Sequence, residues 1–326
     1  MNKLIALLGA LSALFGLNAA ALAGEYPTDK TVVMVVPFAA GGPTDKVARE
    51  LGVVMTKHLK QTIVVDNTVG AGGTIGARKV VQAPKDGYTI LLHHIGMSTA
   101  PALYRNLGFD PMNDYEFIGE VADVPMLLLS TKSLPAKDFK ELLPYIKANH
   151  DKLSLANAGI GSASHLCGLL FMSTIQTDFT TVPYKGTAPA LTDLMGGQVQ
   201  LMCDQTTNVA GQVRSNAIKA YGATSLSRLA AFKDIPTLDE QGLKGFEVKI
   251  WHAMYAPKGT PKPVVDKLVA ALQASVQDAG FRAKMAELGA EVATPQRATP
   301  ASARALVQSE INKWTPIIKK AGVYAD

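Results

Sequence analysis

The run Val32-Val33-Met34-Val35-Val36-Pro37-Phe38-Ala39-Ala40-Gly41-Gly42-Pro43-Thr44-Asp45 opens with five apolar residues, four of them β-branched. An unbroken run of that kind reads as a strand covered on both faces. Pro37 ends it, having no N–H for the ladder, and Gly41 and Gly42 let the backbone turn sharply. Thr44 or Asp45 can cap the helix that follows, on which Val47, Leu51, Val54, Met55 and His58 fall on one face. Strand, small-residue loop and helix start together gather unpaired backbone N–H groups and the positive end of a helix dipole. A small anion could bind there without Arg or Lys, although the same residues also make an ordinary strand-to-helix turn.

The chain around this run has 326 residues, 48% hydrophobic and 18% charged, with a net charge of +5. That suits one large or two smaller globular domains. The basic residues are scattered and aromatics reach only 6%, so nucleic acid is not an expected partner. Residues 1–23 differ in kind. Lys3 precedes an apolar run from Leu4 to Leu17, and Ala21-Leu22-Ala23 forms an A-x-A cleavage site. This is the pattern of a secretory signal peptide. Export places Cys167 and Cys203 in an oxidising compartment, where they form one bridge or remain two buried thiols.

Downstream, the same unit of strand, small-residue loop and helix recurs. Ile63–Asp66 reads as a strand, followed by the glycine-rich segment 70–76 and a helix to about Gln82. The glycines lack the G-x-G-x-x-G spacing of a dinucleotide site and read as a turn into a helix. The strand Tyr88–His93 brings His93, His94 and Ser98 to its end, where ligands reach α/β sheets. Adjacent strand residues point to opposite faces, so one histidine is expected packed and the other solvated, without a shared metal. Phe117–Val121 and Met126–Leu129 read as two strands interrupted at Asp123-Val124-Pro125, and Lys137–Asn149 as a helix carrying Pro144. Leu153–Ala156, the loop Asn157–Ser164 and the helix His165–Ile175 repeat the opening chemistry. So do Thr180–Val182 with the helix Ala190–Met195, and Val199–Cys203 with Asp204 and the helix after it. Strands at Ala217–Ala223 and Val248–Ala256 precede helices from Thr260 to about Gln277 and from Ala301 to Ala321. The alternation argues for a parallel-sheet α/β protein with a cleft where several such loops meet.

These residues identify a family. The signal peptide and Val35-Val36-Pro37-Phe38-Ala39-Ala40-Gly41-Gly42-Pro43-Thr44-Asp45 resemble the extracytoplasmic solute receptors of tripartite tricarboxylate transporters, the TctC or Bug family. So do Pro101-Ala102-Leu103-Tyr104, Gly161-Ser162-Ala163-Ser164-His165-Leu166 and Pro183-Tyr184-Lys185-Gly186-Thr187-Ala188-Pro189-Ala190. Gly196-Gly197-Gln198-Val199, Ile235-Pro236-Thr237-Leu238 and Tyr255-Ala256-Pro257-Lys258-Gly259-Thr260-Pro261 complete the set, in order along the whole mature chain. The resemblance implies a type II periplasmic binding protein fold: two α/β lobes with a ligand cleft between them. Lobe 1 would comprise 24–124 and 247–326, and lobe 2 would comprise 125–246. It implies a periplasmic monomer without cofactor that captures a mono- or dicarboxylate, aromatic ones included, and delivers it to the membrane permease subunits. Carried onto this sequence, the first-lobe contacts are Phe38, Ala39, Gly41, Thr44 and Asp45, with His93, His94 and Ser98 nearby. The second-lobe contacts are Asn157, Ser162, Ser164, Thr187 and Asp204. Many members have Thr, Asn and Gly near positions 93–95 and apolar residues at 167 and 203. Here the residues are His93-His94-Ile95 and two cysteines, and the paired change favours a bridge.

Three other readings compete. A hydrolase would need Ser164-His165, or Cys167 with Asp204, but sequence neighbours on a helix do not face each other and G-x-S-x-G is absent. A metal-binding receptor would need spacings that the six histidines lack. A sensor presenting a carboxylate to a signalling partner would share fold and site with the transport receptor.

Overall fold

The computed structural model describes residues 26–27, 30–322 and 324–325, so the signal-peptide segment 1–23 lies outside the described residues. Strand β1 (Val32–Val36) leads into α1 (Pro43–Leu59), which buries Val47, Leu51, Val54, Met55 and Leu59. Its N-cap is Gly42, which has no side chain to cap with, and Asp45 in the first turn reaches back to accept the Gly41 N–H at 2.8 Å. His58, expected on the apolar face, is exposed, and Leu59 completes the stripe. After β2 (Ile63–Asn67), a short 3₁₀ turn at Ala71–Gly73 enters α2 (Thr74–Val81). Then follow β3 (Thr89–His94) and α3 (Gly96–Leu103).

The two short strands expected near Pro125 are one 17-residue strand, β4 (Tyr115–Thr131). Proline is tolerated there because β4 changes partners at that point. Beyond Pro125 its ladder passes to other strands, and Thr224 Oγ1 takes up the Met126 N–H at 3.0 Å. The second region continues with α4 (Phe139–Asn149), β5 (Ser154–Asn157), α5 (Ala163–Ile175) and β6 (Thr180–Pro183). It closes with α6 (Thr187–Met195), β7 (Leu201–Gln205), α7 (Thr206–Arg214) and β8 (Ile218–Ala223). Strand β9 (Lys249–Pro257) then returns to the first region. It is followed by α8 (Lys262–Ser275), α9 (Ala279–Glu287), β10 (Glu291–Val292) and α10 (Pro300–Ala321). Both α9 and β10 were not anticipated; the helix is short, and its two buried side chains, Phe281 and Met285, give little periodic signal.

Strand pairing divides the molecule in two. β1, β2 and β3 are parallel, and β9 joins them antiparallel to β3 and to the Tyr115–Pro125 part of β4. In the other lobe β5, β6 and β7 are parallel, while the Met126–Thr131 part of β4 runs antiparallel to β7 and β8. The sheet is therefore mixed, where the alternation of elements suggested a parallel one. β4 carries the chain outward, and the segment before β9 brings it back, with the Val248 N–H donating to Thr224 O at 2.9 Å.

Helices cover both faces of the first lobe. Val32, Met34 and Val36 pack towards α1, α8 and α9, while Val35 and Leu91 pack with Ala77 of α2, Met97 of α3 and Val307 of α10. Beside the crossing strands, Arg297 holds the buried Glu120 and lies 2.5 Å from Asp123, which Lys249 also grips at 2.6 Å. In the second lobe, a disulfide joins Cys167 of α5 to Cys203 of β7, with Cα atoms 6.1 Å apart.

Candidate functional site

Parallel strands expose the starts of the helices that follow them at one end of the sheet, and in this chain two lobes turn those ends towards each other. A small cavity of about 10 Å³ lies between them. Its walls contain Pro43 and Thr44 at the start of α1, Ser162, Ala163 and Ser164 at the start of α5, and Thr187 at the start of α6. Gln205, the N-cap of α7, Asp204, Phe38, His94 and Ala158 complete it. Four helix N-termini therefore face one space, and among the described residues no Lys or Arg lines it. Phe38 and Ala158 also line an outer cavity of about 550 Å³, with Tyr104, Ile160, Tyr184 and Lys185.

Of the residues carried over from the resemblance, Phe38, Thr44, His94, Ser162, Ser164, Thr187 and Asp204 come together around the inner cavity. The others lie close by in different roles. Ala39 donates its N–H to Lys185 O across the cleft at 3.2 Å. Gly41 is exposed and holds Asp45, whose carboxylate also accepts from Arg49 at 2.9 Å and Asn67 at 3.0 Å. Those hydrogen bonds and the Arg49 charge keep Asp45 below the usual carboxylate range against the opposing effect of burial. Ser98 turns its hydroxyl away, donating to Val307 O of α10 at 3.1 Å. Asn157 Oδ1 accepts from the Gly159 N–H at 2.9 Å and so shapes the loop before α5.

The histidines do not divide into one packed and one solvated. Both faces of the sheet are covered, so His93 and His94 are each 2% exposed. His93 Nδ1 accepts the His94 N–H at 2.7 Å and His94 Nδ1 accepts the Gly96 N–H at 3.0 Å. Each neutral ring therefore carries its proton on Nε2. Burial, reinforced by neighbouring histidines, pushes His93 down to about 3 and His94 well below its ordinary value. Phe38 stacks on His94 with ring centroids 4.5 Å apart and meets His93 edge-on at 5.6 Å. A third ring, His252, lies opposite His94 in the β3–β9 ladder, and its Nε2 is 3.3 Å from Thr44 Oγ1. Nothing near His252 in the sequence announces this; only the antiparallel register brings it beneath Thr44. Gln205 was missed too, although it follows Asp204 at the end of β7.

Asp204 is fully buried. Its Oδ1 accepts the Gln205 N–H at 2.8 Å and its Oδ2 accepts from Asn208 Nδ2 at 2.5 Å. Burial nevertheless outweighs these bonds and the Lys46 charge, raising the group to about 7. The residues weighed for hydrolysis are placed otherwise. Ser164 Oγ accepts the Ala158 N–H at 2.8 Å, and His165 Nδ1 accepts the Gly161 N–H at 3.2 Å. Cys167 is consumed by the disulfide. Among the described residues no group of three His, Cys, Asp or Glu could hold a metal ion.

The lobes touch along the cleft. Tyr104 OH donates to Ile160 O at 3.0 Å, Thr99 Oγ1 to Gly161 O at 3.3 Å, and Lys46 Nζ to Asn208 O at 3.1 Å. Two α/β lobes, linked by crossing strands and closed over a small cavity that helix N-termini face, define a bilobed solute-binding protein.

Likeness to known proteins narrows this class. The family profile of the tripartite tricarboxylate transporter family receptor, TctC, matches residues 47–323, and the chain belongs to that family. It is similar to the periplasmic binding protein BugD, with 54% identity and a TM-score of 0.89 over 91% of this chain and 99% of that one. MatC from Rhodopseudomonas palustris, solved with bound malate, is 40% identical, with a TM-score of 0.86 over 90% of this chain and all of that one. Another R. palustris protein, solved with adipate, is 34% identical, with a TM-score of 0.87 over 92% and 99% of the two chains.

Proposed function

We propose that this chain is a periplasmic receptor that captures a small carboxylate by lobe closure and delivers it to the permease of a tripartite tricarboxylate transporter. The supporting observation is the convergence of the α1, α5, α6 and α7 N-termini on one cavity, with no lysine or arginine among the described residues of its wall. Each helix start offers unpaired N–H groups and partial positive charge to an anion. Relatives solved with malate and with adipate support the ligand class. Export by residues 1–23 would place the receptor in the periplasm. The lobe limits would fall where β4 and the returning segment change partners, giving 24–124 with 247–326 and 125–246.

Binding free energy would shift the balance between open and closed lobes by the difference in affinity for the two states. Ala39, Tyr104, Thr99 and Lys46 supply contacts that exist only when the lobes meet. The mature protein, refolded from denaturant to remove retained ligand, would be melted against mono-, di- and tricarboxylates, nicotinate and aromatic dicarboxylates. A ligand specific to the folded state raises its stability by about 2.7 kcal/mol at a hundredfold excess over Kd. One or a few sharp shifts are expected; silence across the whole panel would sink the reading.

A further inference from the structure

A cavity suited to an anion should not contain a carboxyl, yet Asp204 stands in its wall. Beside it, Gln205 presents a side-chain amide that is 2% exposed and whose Oε1 has no hydrogen-bond partner. A buried polar atom left unpaired costs about 1–3 kcal/mol. A carboxylate ligand with nothing else to offer would leave Gln205 Oε1 unpaired and would be repelled by the ionised Asp204. On the facing wall, His94 has its Nδ1 occupied by the Gly96 N–H, so its remaining ring nitrogen donates. Helix ends and His94 thus offer donors to the cavity, while Asp204 and the unpaired Gln205 Oε1 offer acceptors.

We infer that Asp204 and Gln205 are specificity-determining residues that select carboxylates carrying a hydroxyl or ammonium group close to the carboxylate over unsubstituted ones. This deepens the receptor reading and rests on it. The donor must lie within a carbon or two of the carboxylate, because acceptors and helix ends share one small cavity. Asp204, raised to about 7 by burial, would be drawn to its ionised form by a ligand ammonium and would accept from a hydroxyl in either state.

Isothermal titration of the refolded, ligand-free protein with two matched series tests this. One is succinate, malate and aspartate; the other is glutarate, 2-hydroxyglutarate and glutamate. Within a series only one substituent changes. In at least one series the hydroxy or amino member should bind at least tenfold more tightly than its unsubstituted parent. Asp204→Asn should reduce the preference for ammonium, and Gln205→Leu the preference for hydroxyl, each read as the ratio of substituted to parent acid within one variant. Equal or tighter binding of the parents in both series overturns the inference and leaves the receptor reading intact. So does a preference unchanged in both variants. If the variants fail to fold, the ratios of the unaltered protein decide alone. No binding by either series or by the wider carboxylate panel would remove the receptor reading itself, and this inference with it.

Discussion

At the scale of single residues, burial dominates the chemistry of the histidines. His93 is pushed down to about 3, His165 and His252 to about 4, and His94 well below its ordinary value, in each case chiefly by desolvation. In the unfolded chain these rings titrate near 6.5. Below that pH the unfolded state takes up protons that the folded state refuses, so the stability present above about 6.5 is lost as pH falls towards 4. Burial acts oppositely on two acids. Asp204 is raised to about 7 and Glu120 is pushed up as well, by burial and the Asp123 carboxylate against the pull of Arg297, and their contribution, full below about 4, fades as pH rises towards 7. Four histidines against two acids leave a net uptake of about two protons on unfolding between pH 6 and 5. The melting temperature should therefore drop from pH 7 to pH 5. His165→Gln, which can keep an acceptor for the Gly161 N–H, should roughly halve the dependence. Melts of both proteins across that range check it, and an unchanged slope would mean that His165 is protonated in the folded state.

At the scale of elements, the repeated unit of strand, small-residue loop and helix was legible because its signals are local. The apolar run before Pro37, the glycines after it and the stripe on α1 each need only neighbouring residues to be read. The small-residue loops also marked most of the cavity wall, including Thr44, Ser162, Ser164, Thr187 and Asp204. Properties set by long-range pairing were not legible. Pro125 looked like an interruption, yet β4 runs through it because its ladder partners change there. His252 reaches Thr44 only through the register of β3 against β9, and Gln205 gained its meaning from the lack of a partner in the folded chain. The disulfide lies between these extremes: the cysteines were visible, while the structure adds that they tie α5 to β7, two elements that carry cavity residues. With a sequence separation of 36, the bridge closes a loop worth about 3–4 kcal/mol in the chain-entropy account. Replacing Cys167 and Cys203 by Ala should lower unfolding stability by that amount in denaturant melts. Melts of the unaltered protein under reducing conditions should give the same loss, and a change below about 1 kcal/mol would refute the entropic reading.

At the scale of the whole molecule, closure depends on backbone approaching backbone, and at Gly72 that approach leaves no room for a side chain. A Cβ on Gly72 would lie 2.2 Å from Ile160 O in the opposite lobe, and 2.9 Å from the Tyr104 hydroxyl, which can swing aside. The Ile160 carbonyl, by contrast, moves only with its backbone, and it also accepts the Tyr104 hydroxyl at 3.0 Å. Gly72 itself has φ of 59°, so Ala there also carries a conformational cost of about 1–2 kcal/mol within its own lobe. That cost applies to open and closed forms alike, whereas the clash with Ile160 exists only when the lobes meet. Gly72→Ala should therefore fold with a modest loss of stability but populate the closed form far less. Apparent affinity scales with the fraction of protein able to close, so a hundredfold drop in that fraction weakens binding a hundredfold. Small-angle scattering with the best ligand of the carboxylate panel should show the unaltered protein contracting and the variant remaining extended. If G72A binds as tightly and contracts as fully, the segment around Ile160 yields, and the contact between these loops does not limit closure.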